Sequence, residues 1–244
     1  MKHQLELQIP SFLCRPDDRL GFDGMASIFQ EAAWQHAQKL GVDFTDNDTP
    51  VYWVLHRLGM RFVRRPHWGE DIRITTWPSR MIRLYTMREF VVETGDGELL
   101  VEASSTWLVL NGTSGRPVRP EQHLSREWAV EEVPLDLPIG KTATIPEPRD
   151  LLQHAAWDRV RLSDTDRNAH VNNARYAQWL SDWAPGVVSP DRPGMFTFTS
   201  ETREGQEFAV ITPNSAADIA EVWVRNSGDP AANAVCACRF TGLV

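Results

Sequence analysis

The chain is short of cysteine and of positive charge, and it has no long apolar run. Its three cysteines, an odd number, give no disulfide framework. Cys236 and Cys238 flank one residue in the strand-like Ala234-Val235-Cys236-Ala237-Cys238-Arg239-Phe240 and so share a face. A redox or zinc pair has two intervening residues, so these two read as small buried hydrophobes of a cytoplasmic protein. Lysine and arginine number 25 against 33 aspartates and glutamates, a net charge of −8. That balance argues against a nucleic-acid binder and against adhesion to an anionic membrane. No stretch approaches the roughly 20 apolar residues of a membrane helix, so no membrane insertion is expected. The opening Met1–Pro10 segment has neither the apolar core of a signal peptide nor the character of a transit peptide. Gly-x-Ser-x-Gly is missing, which argues against an α/β-hydrolase nucleophile. No two histidines stand in the spacing of a helical metal site, and His3, His36, His56, His67, His123 and His154 are scattered. Neither metal nor cofactor is expected.

The chemistry that is present is concentrated. Ser163 to Tyr176 reads Ser-Asp-Thr-Asp-Arg-Asn-Ala-His-Val-Asn-Asn-Ala-Arg-Tyr, followed by the amphipathic Ala177-Gln178-Trp179-Leu180. Asp166, Asn168 and His170 alternate with Arg167 and Ala169, so an extended loop would project them to one side. Asn172 or Asn173 can then cap a helix through its side-chain oxygen. The polar groups would converge at a helix N-terminus, where free N–H groups and the dipole favour developing negative charge. A single Asp or Asn in such a loop usually satisfies only its own backbone. Asp-x-Asn-x-His running straight into Val-Asn-Asn is a denser constellation than that role requires.

Around this stretch the chain shows one pattern twice, in 244 residues that leave room for two modest domains. Leu5–Leu13 alternates as a strand, and Met25 to Leu40 carries apolar residues at helical spacing before Gly41. Strands are expected at Tyr52–Arg64, Asp71–Trp77, Leu84–Glu93 and Glu98–Leu110, with a Gly95-Asp96-Gly97 hairpin. The pattern restarts with a strand at Trp157–Leu162, a helix at Asn173–Trp183, and strands at Met195–Arg203, Glu207–Thr212, Ala217–Arg225 and Ala234–Thr241. The expected domains are residues 1–125, a proline-rich linker at 126–150, and residues 151–244. One helix followed by an antiparallel meander gives an α+β fold, a sheet curled around a helix. The halves overlay with Asp18-Arg19 on Asp166-Arg167, and with Gly21 and Phe22 where the second copy has Ala169 and His170.

The chain resembles the acyl-acyl-carrier-protein thioesterase family, as a bacterial relative of the plant plastid enzymes. In the first half the likeness rests on Phe29-Gln30-Glu31-Ala32-Ala33, Trp53-Val54-Leu55-His56-Arg57, Trp68-Gly69-Glu70-Asp71, Thr76-Trp77-Pro78 and Ser104-Ser105-Thr106-Trp107. In the second it rests on Asp166-Arg167-Asn168-Ala169-His170-Val171-Asn172-Asn173, Tyr176 and Trp179. The resemblance implies a tandem (double) hotdog, each half a long helix wrapped by a curled antiparallel sheet. It implies hydrolysis of acyl-acyl-carrier-protein to free fatty acid, ending chain elongation, with Asp166, Asn168, His170 and Glu204 as the catalytic set. Glu204 comes from the stretch Glu201-Thr202-Arg203-Glu204-Gly205-Gln206, where Gly205 replaces the family's cysteine and Glu201 is the alternative acid. Without that thiol, attack by water suits the sequence. Asn168 would donate to the developing oxyanion, Glu204, beside an apolar tunnel, would take the water's proton, His170 would orient the water or share that role, and Asp166 would accept from Asn168 or His170. The implied partner is acyl carrier protein with its phosphopantetheine-linked acyl chain, and a homodimer is left open.

The first half would supply the acyl pocket from Met25, Ile28, Phe29, Trp53, Met60 and Phe62. A basic rim for the acidic carrier would come from Arg61, Arg64, Arg65, Arg80, Arg83 and Arg88. An acyl-CoA thioesterase, a non-catalytic acyl-thioester binding module and a hotdog dehydratase are the competing readings. The dehydratase would split its His and acid between two helices, which the loop motif does not offer.

Overall fold

The computed structural model describes residues 1–44, 51–214, 218–228 and 234–243. They divide into two compact units, Met1–Gly140 and Lys141–Val244.

In the first unit, β1 (His3–Gln8), β2 (Val51–Phe62), β3 (Asp71–Ile82), β4 (Tyr85–Thr94) and β5 (Leu99–Asn111) form an antiparallel sheet in the order β1-β3-β4-β5-β2. The short β6 (Pro117–Val118) pairs with β5. Helix α1 (Phe22–Lys39) lays Met25, Ile28, Phe29, Ala32 and Ala33 on the sheet. Burying each of the larger of these side chains contributes about 1.5–3 kcal/mol. The helix starts ahead of the expected Met25, because Phe22 is fully buried and anchors the first turn. It ends where expected, with Gly41 at φ 68, the left-handed residue that closes many helices.

The 126–150 stretch is not a free linker. Trp77 Nε1 donates to the Glu132 carbonyl at 3.0 Å, and Leu135 N–H donates to Ser104 Oγ at 3.2 Å. Arg57 Nη1 donates to the carbonyls of Pro138 at 2.7 Å and Gly140 at 3.0 Å, and His56 Nε2 lies 3.3 Å from the latter. Leu137 crosses Gly59, where a Cβ would stand 2.5 Å from a Leu137 methyl, so glycine lets the strap lie flat on β2. Proline removes an N–H donor but keeps its carbonyl, and here the carbonyls hold the strap down. Residues through Gly140 therefore belong to the first unit. The rest belongs to the second: Ile145 packs on that unit's core and Glu147 Oε1 accepts from Ala234 N–H at 2.9 Å.

Two buried polar groups cross the first unit's sheet. On one side Glu89 accepts from the Ser79 and Ser104 hydroxyls, and burial raises its carboxyl above the usual range. On the other, His36 of α1 takes a hydrogen bond from Arg88 on its Nδ1 at 3.1 Å. Burial first, then the charge of Arg88, lowers His36 to about 3, with His3, the N-terminus and Lys39 acting in the same direction. Below the ordinary histidine range the unfolded chain binds a proton that the folded chain refuses. The first unit should therefore lose stability as pH falls from about 6.5 towards 3, and regain it as pH rises. Urea unfolding of the wild type and of His36→Asn across that interval checks this. The variant should have the shallower dependence, and equal slopes would remove His36 from the acid sensitivity.

In the second unit, α2 (Arg149–Gln153), β7 (Asp158–Arg159) and α3 (Asn173–Trp183) precede β8 (Gly194–Phe198), β9 (Glu207–Asn214), β10 (Ile219–Arg225) and β11 (Val235–Gly242). The strands run antiparallel in the order β8-β11-β10-β9-β7. Helix α3 spans the expected residues and packs through aromatic rings. Trp179 stacks on Phe208 at 3.8 Å, and Tyr176 meets Trp179 and Phe198 edge-on at 5.5 and 5.9 Å. Two strands are shorter than expected. Trp157–Leu162 contributes only β7 because Leu162–Asp164 coils into a 3-10 turn, and Met195–Arg203 ends at Phe198 because the chain then turns. Ala217, expected to open the β10 strand, lies outside the described residues.

Candidate active site

The Asp166–His170 stretch is a tight turn rather than an extended run. Asp166 N–H donates to the His170 carbonyl at 2.9 Å, Ala169 N–H donates to the Asp166 carbonyl at 3.0 Å, and Ala169 sits at φ 59. The bridge Thr165↔Val171 closes the turn like a short hairpin. Holding alanine in the left-handed region costs about 1–2 kcal/mol, strain stored where the polar side chains gather.

Asp166 Oδ1 accepts from the backbone N–H of Asn168 at 2.8 Å and stands 3.8 Å from His170 Nδ1. Asp166 thus braces the turn through the Asn168 backbone and faces the imidazole, while the Asn168 side chain is exposed. The Asp166 and His170 side chains are 16% and 28% exposed, low enough to hold position and open enough to meet a substrate. Directly after the turn, Asn172 caps α3, its Oδ1 accepting from Ala174 N–H at 2.9 Å. The turn is therefore delivered to the positive end of α3.

A second turn lies alongside. Val171 N–H donates to the Thr202 carbonyl at 2.7 Å, tying the segment that follows His170 to the segment that precedes Glu204. Gly205 N–H donates to the Val160 carbonyl at 3.0 Å, and Arg203 N–H to Gln206 Oε1 at 2.7 Å. Glu204 is exposed at the tip of this turn, between β8 and β9. Gly205 has φ 86, a conformation a cysteine would adopt only under strain, so its replacement of that residue fits the backbone. Glu201, the alternative acid, is exposed and pairs with Arg203 at 3.2 Å.

The structure corrects the internal overlay. The bridge Cys14↔Leu20 matches Thr165↔Val171, and Asp18 at φ 58 matches Ala169 at φ 59. Arg15 N–H to the Arg19 carbonyl at 2.8 Å and Asp18 N–H to the Arg15 carbonyl at 2.9 Å repeat the bonds of the second turn. Arg15, Asp17 and Arg19 therefore stand where Asp166, Asn168 and His170 stand in the second copy. Gly21 and Phe22 take the places of Asn172 and Asn173 instead. The correspondence extends to the second turn: Gly69 N–H donates to the Ile9 carbonyl at 3.0 Å, so Trp68 occupies the position of Glu204. Two of the first copy's charges are used in ion pairs, Asp17 with Arg65 at 2.5 Å and Arg15 with Asp23 at 3.1 Å. What survived between the copies is backbone geometry, which residue identity hides. The sequence signal was the single apolar residue before each helix, Leu20 and Val171.

The expected pocket and rim also change. Met25, Ile28, Phe29 and Met60 are packed core of the first unit. Trp53 Nε1 donates to the Val42 carbonyl at 2.7 Å, and Phe62 meets Phe22 edge-on. Of the basic rim, Arg61 pairs with Glu102, Arg64 with Glu70 and Glu98, Arg65 with Asp17, and Arg80 with Asp136. Arg88 lies inside the unit against His36. Arg83 remains as an exposed cation of that set.

Among the described residues no group of three or more His, Cys, Asp or Glu is placed to hold a metal ion. Cys236 and Cys238 are buried, and burial pushes Cys236 up to about 12 and raises Cys238 well above the thiol range. Cys14 lies in the first unit's turn, at the position of Thr165, and burial raises it too. A native thiol alkylator should therefore leave turnover unchanged. Loss of activity that substrate protects against would place a thiol in the reaction.

Residues 2–127 match the family model of the acyl-ACP thioesterase N-terminal domain, and residues 153–223 match that of the acyl-ACP thioesterase C-terminal domain. An oleoyl-acyl carrier protein thioesterase of Arabidopsis thaliana is 27% identical over 67% of this chain and 49% of its own length. An acyl-[acyl-carrier-protein] hydrolase of Cuphea viscosissima is 28% identical over 74% of this chain and 46% of its own. The chain spans about half the length of these plant relatives. Among solved structures, an acyl-ACP thioesterase of Bacteroides thetaiotaomicron superposes with TM-score 0.77 at 23% identity, covering 99% of this chain and 97% of that one. A 12:0-ACP thioesterase of Umbellularia californica gives 0.73 at 18% identity, with coverage of 99% and 97%. The fold is the tandem hotdog expected from the sequence.

Proposed function

Because the chain belongs to the acyl-ACP thioesterase family, we propose that it hydrolyses the thioester of acyl carrier proteins, releasing free fatty acid and ending chain elongation. The observation that carries this reading is the braced Asp166–His170 turn at the capped start of α3, within a chain whose two halves match the family's two domains. Hydrolysis forms a bond from water oxygen to the thioester carbon and breaks the carbon–sulfur bond, the thiolate leaving to take a proton. Negative charge gathers on the carbonyl oxygen in between. The Asn168 amide donates to that oxygen, supported by the positive end of α3. Glu204 accepts the water's proton and His170 orients the water, with Asp166 facing the imidazole and holding the turn.

Acyl carrier protein with its phosphopantetheine-linked chain is the proposed partner. Free thiols at Cys14, Cys236 and Cys238 suit a reducing compartment, and the cytoplasm is the proposed location. Among the described residues no helix is long and apolar enough to cross a membrane.

The test gives the purified chain matched acyl-carrier-protein and acyl-CoA thioesters across chain lengths and follows thiol release. Faster turnover of the carrier-protein series is expected. Preference for acyl-CoA would replace the carrier, and binding without hydrolysis would make the chain an acyl-thioester binding module.

A further inference from the structure

His170 and Glu204 stand on separate segments of the second unit, and one residue meets both. Thr202 lies two positions before Glu204, and its carbonyl accepts at 2.7 Å from the N–H of Val171, the residue after His170. Thr202 is also next to the hydroxyl of Tyr176, in the first turn of α3, and acts on it through its side chain and its backbone N–H. Both residues are interior: Thr202 is 0% exposed and Tyr176 2%, with the Tyr176 ring packed on Trp179 and Phe198.

Neither hydroxyl completes a hydrogen bond. Tyr176 Oη and Thr202 Oγ1 are buried and without a partner at hydrogen-bonding geometry among the described residues. A buried, unpaired hydroxyl lowers stability, and phenylalanine with valine would fill the space without that cost. Two such hydroxyls where the candidate site's two turns meet point to a role in the site rather than in the core. Hydrogen bonds in catalytic sites are often long in the free enzyme and tighten once substrate is bound.

We propose that Tyr176 and Thr202 are positioning residues for the hydrolysis, whose hydroxyls pair when thioester is bound and lock the Glu204 turn to the start of α3, in register with His170. The inference rests on the thioesterase reading of the chain and on Glu204 as the base. The bond from Val171 N–H to the Thr202 carbonyl fixes one point between the segments but not the rotation about it. A tie from Tyr176 to the same residue fixes that rotation. On the other flank of Glu204, Gly205 N–H on the Val160 carbonyl at 3.0 Å already holds the chain. With both flanks held, the carboxylate returns to one place at each turnover. Misplacing such a group by about 1 Å can cost about 100-fold in rate.

The test reads turnover, KM and thermal stability together, on whichever thioester the wild type hydrolyses faster. Tyr176→Phe removes one oxygen and keeps the ring packing. It should lower kcat about tenfold or more, leave KM within twofold, and leave the melting temperature equal or raised. Thr202→Val should behave likewise, and Thr202→Ser, which keeps the hydroxyl, should recover most of that loss. In a Glu204→Gln background, Tyr176→Phe should cost less than a further twofold, because the pair acts through Glu204. A purely structural role predicts instead a lower melting temperature and the same fold-loss in both backgrounds, and that result overturns the inference. So does kcat within twofold of wild type in folded Tyr176→Phe; if Thr202→Val does not fold, Tyr176→Phe alone decides. Wild-type turnover by Glu204→Gln would remove the base and this inference while leaving the thioesterase reading in place. A wild type that binds thioesters without hydrolysing them would bring down that reading, and the inference with it.

Discussion

Asn168→Ala should cut turnover on acyl-carrier-protein thioester by about 10²–10³-fold and leave KM nearly unchanged. The magnitude is that of one donor aimed at an oxyanion, about 2.7–4 kcal/mol of barrier. The structure makes the substitution clean. The turn is held by the backbone N–H of Asn168 on Asp166 Oδ1, by Asp166 N–H on the His170 carbonyl and by Ala169 N–H on the Asp166 carbonyl. Alanine retains all three bonds and removes only the exposed amide. Thermal stability should therefore move by no more than about 0.5 kcal/mol, the usual range for an exposed side chain. Steady-state kinetics beside a thermal melt checks both halves of the expectation. An effect confined to KM would make Asn168 a binding residue, and a fall of less than tenfold in both constants would take it out of the mechanism.

The sequence reveals elements whose cause is local and misses those whose cause is distant. Helix α3 follows from Asn172 as cap and the Tyr176, Trp179, Leu180 stripe, and it runs over the expected residues. The strands of the first meander follow from alternation and from the Gly95-Asp96-Gly97 hairpin. The fate of the 126–150 stretch was not legible, because proline marks a break in regular structure without saying whether its carbonyls will be used. Here Arg57, far earlier in the chain, holds the Pro138 and Gly140 carbonyls. At the site, the grouping of Asp166, Asn168 and His170 was visible as a pattern, but its geometry was not. The left-handed Ala169 turns an expected extended run into a tight turn, and alanine gives no compositional sign of that conformation. Likewise Arg88 read as surface charge on a strand, since its burial depends on which face α1 covers.

Arg239→Met should destabilise the second unit by about 3–5 kcal/mol. Glu221 on β10 is 1% exposed, and its carboxylate accepts from Arg239 Nε at 2.7 Å, from Arg239 Nη2, and from Trp223 Nε1 at 2.7 Å. Arg239, on the neighbouring β11, reaches solvent with part of its side chain, so its own removal exposes little. The cost comes from what stays behind, a buried carboxylate with a single indole donor and no cation. If that is the cause, adding Glu221→Met to Arg239→Met should recover much of the loss, because deleting both members of a buried pair leaves no unpaired charge. Urea unfolding of the wild type, the single and the double variant separates the two contributions. The lesion lies in the sheet on which α3 packs and leaves the Asp166–His170 turn intact. Folded Arg239→Met at low temperature should therefore keep its turnover number while unfolding at lower urea. A double variant no more stable than the single one would mean that packing around β10 and β11, and not the stranded charge, sets the cost.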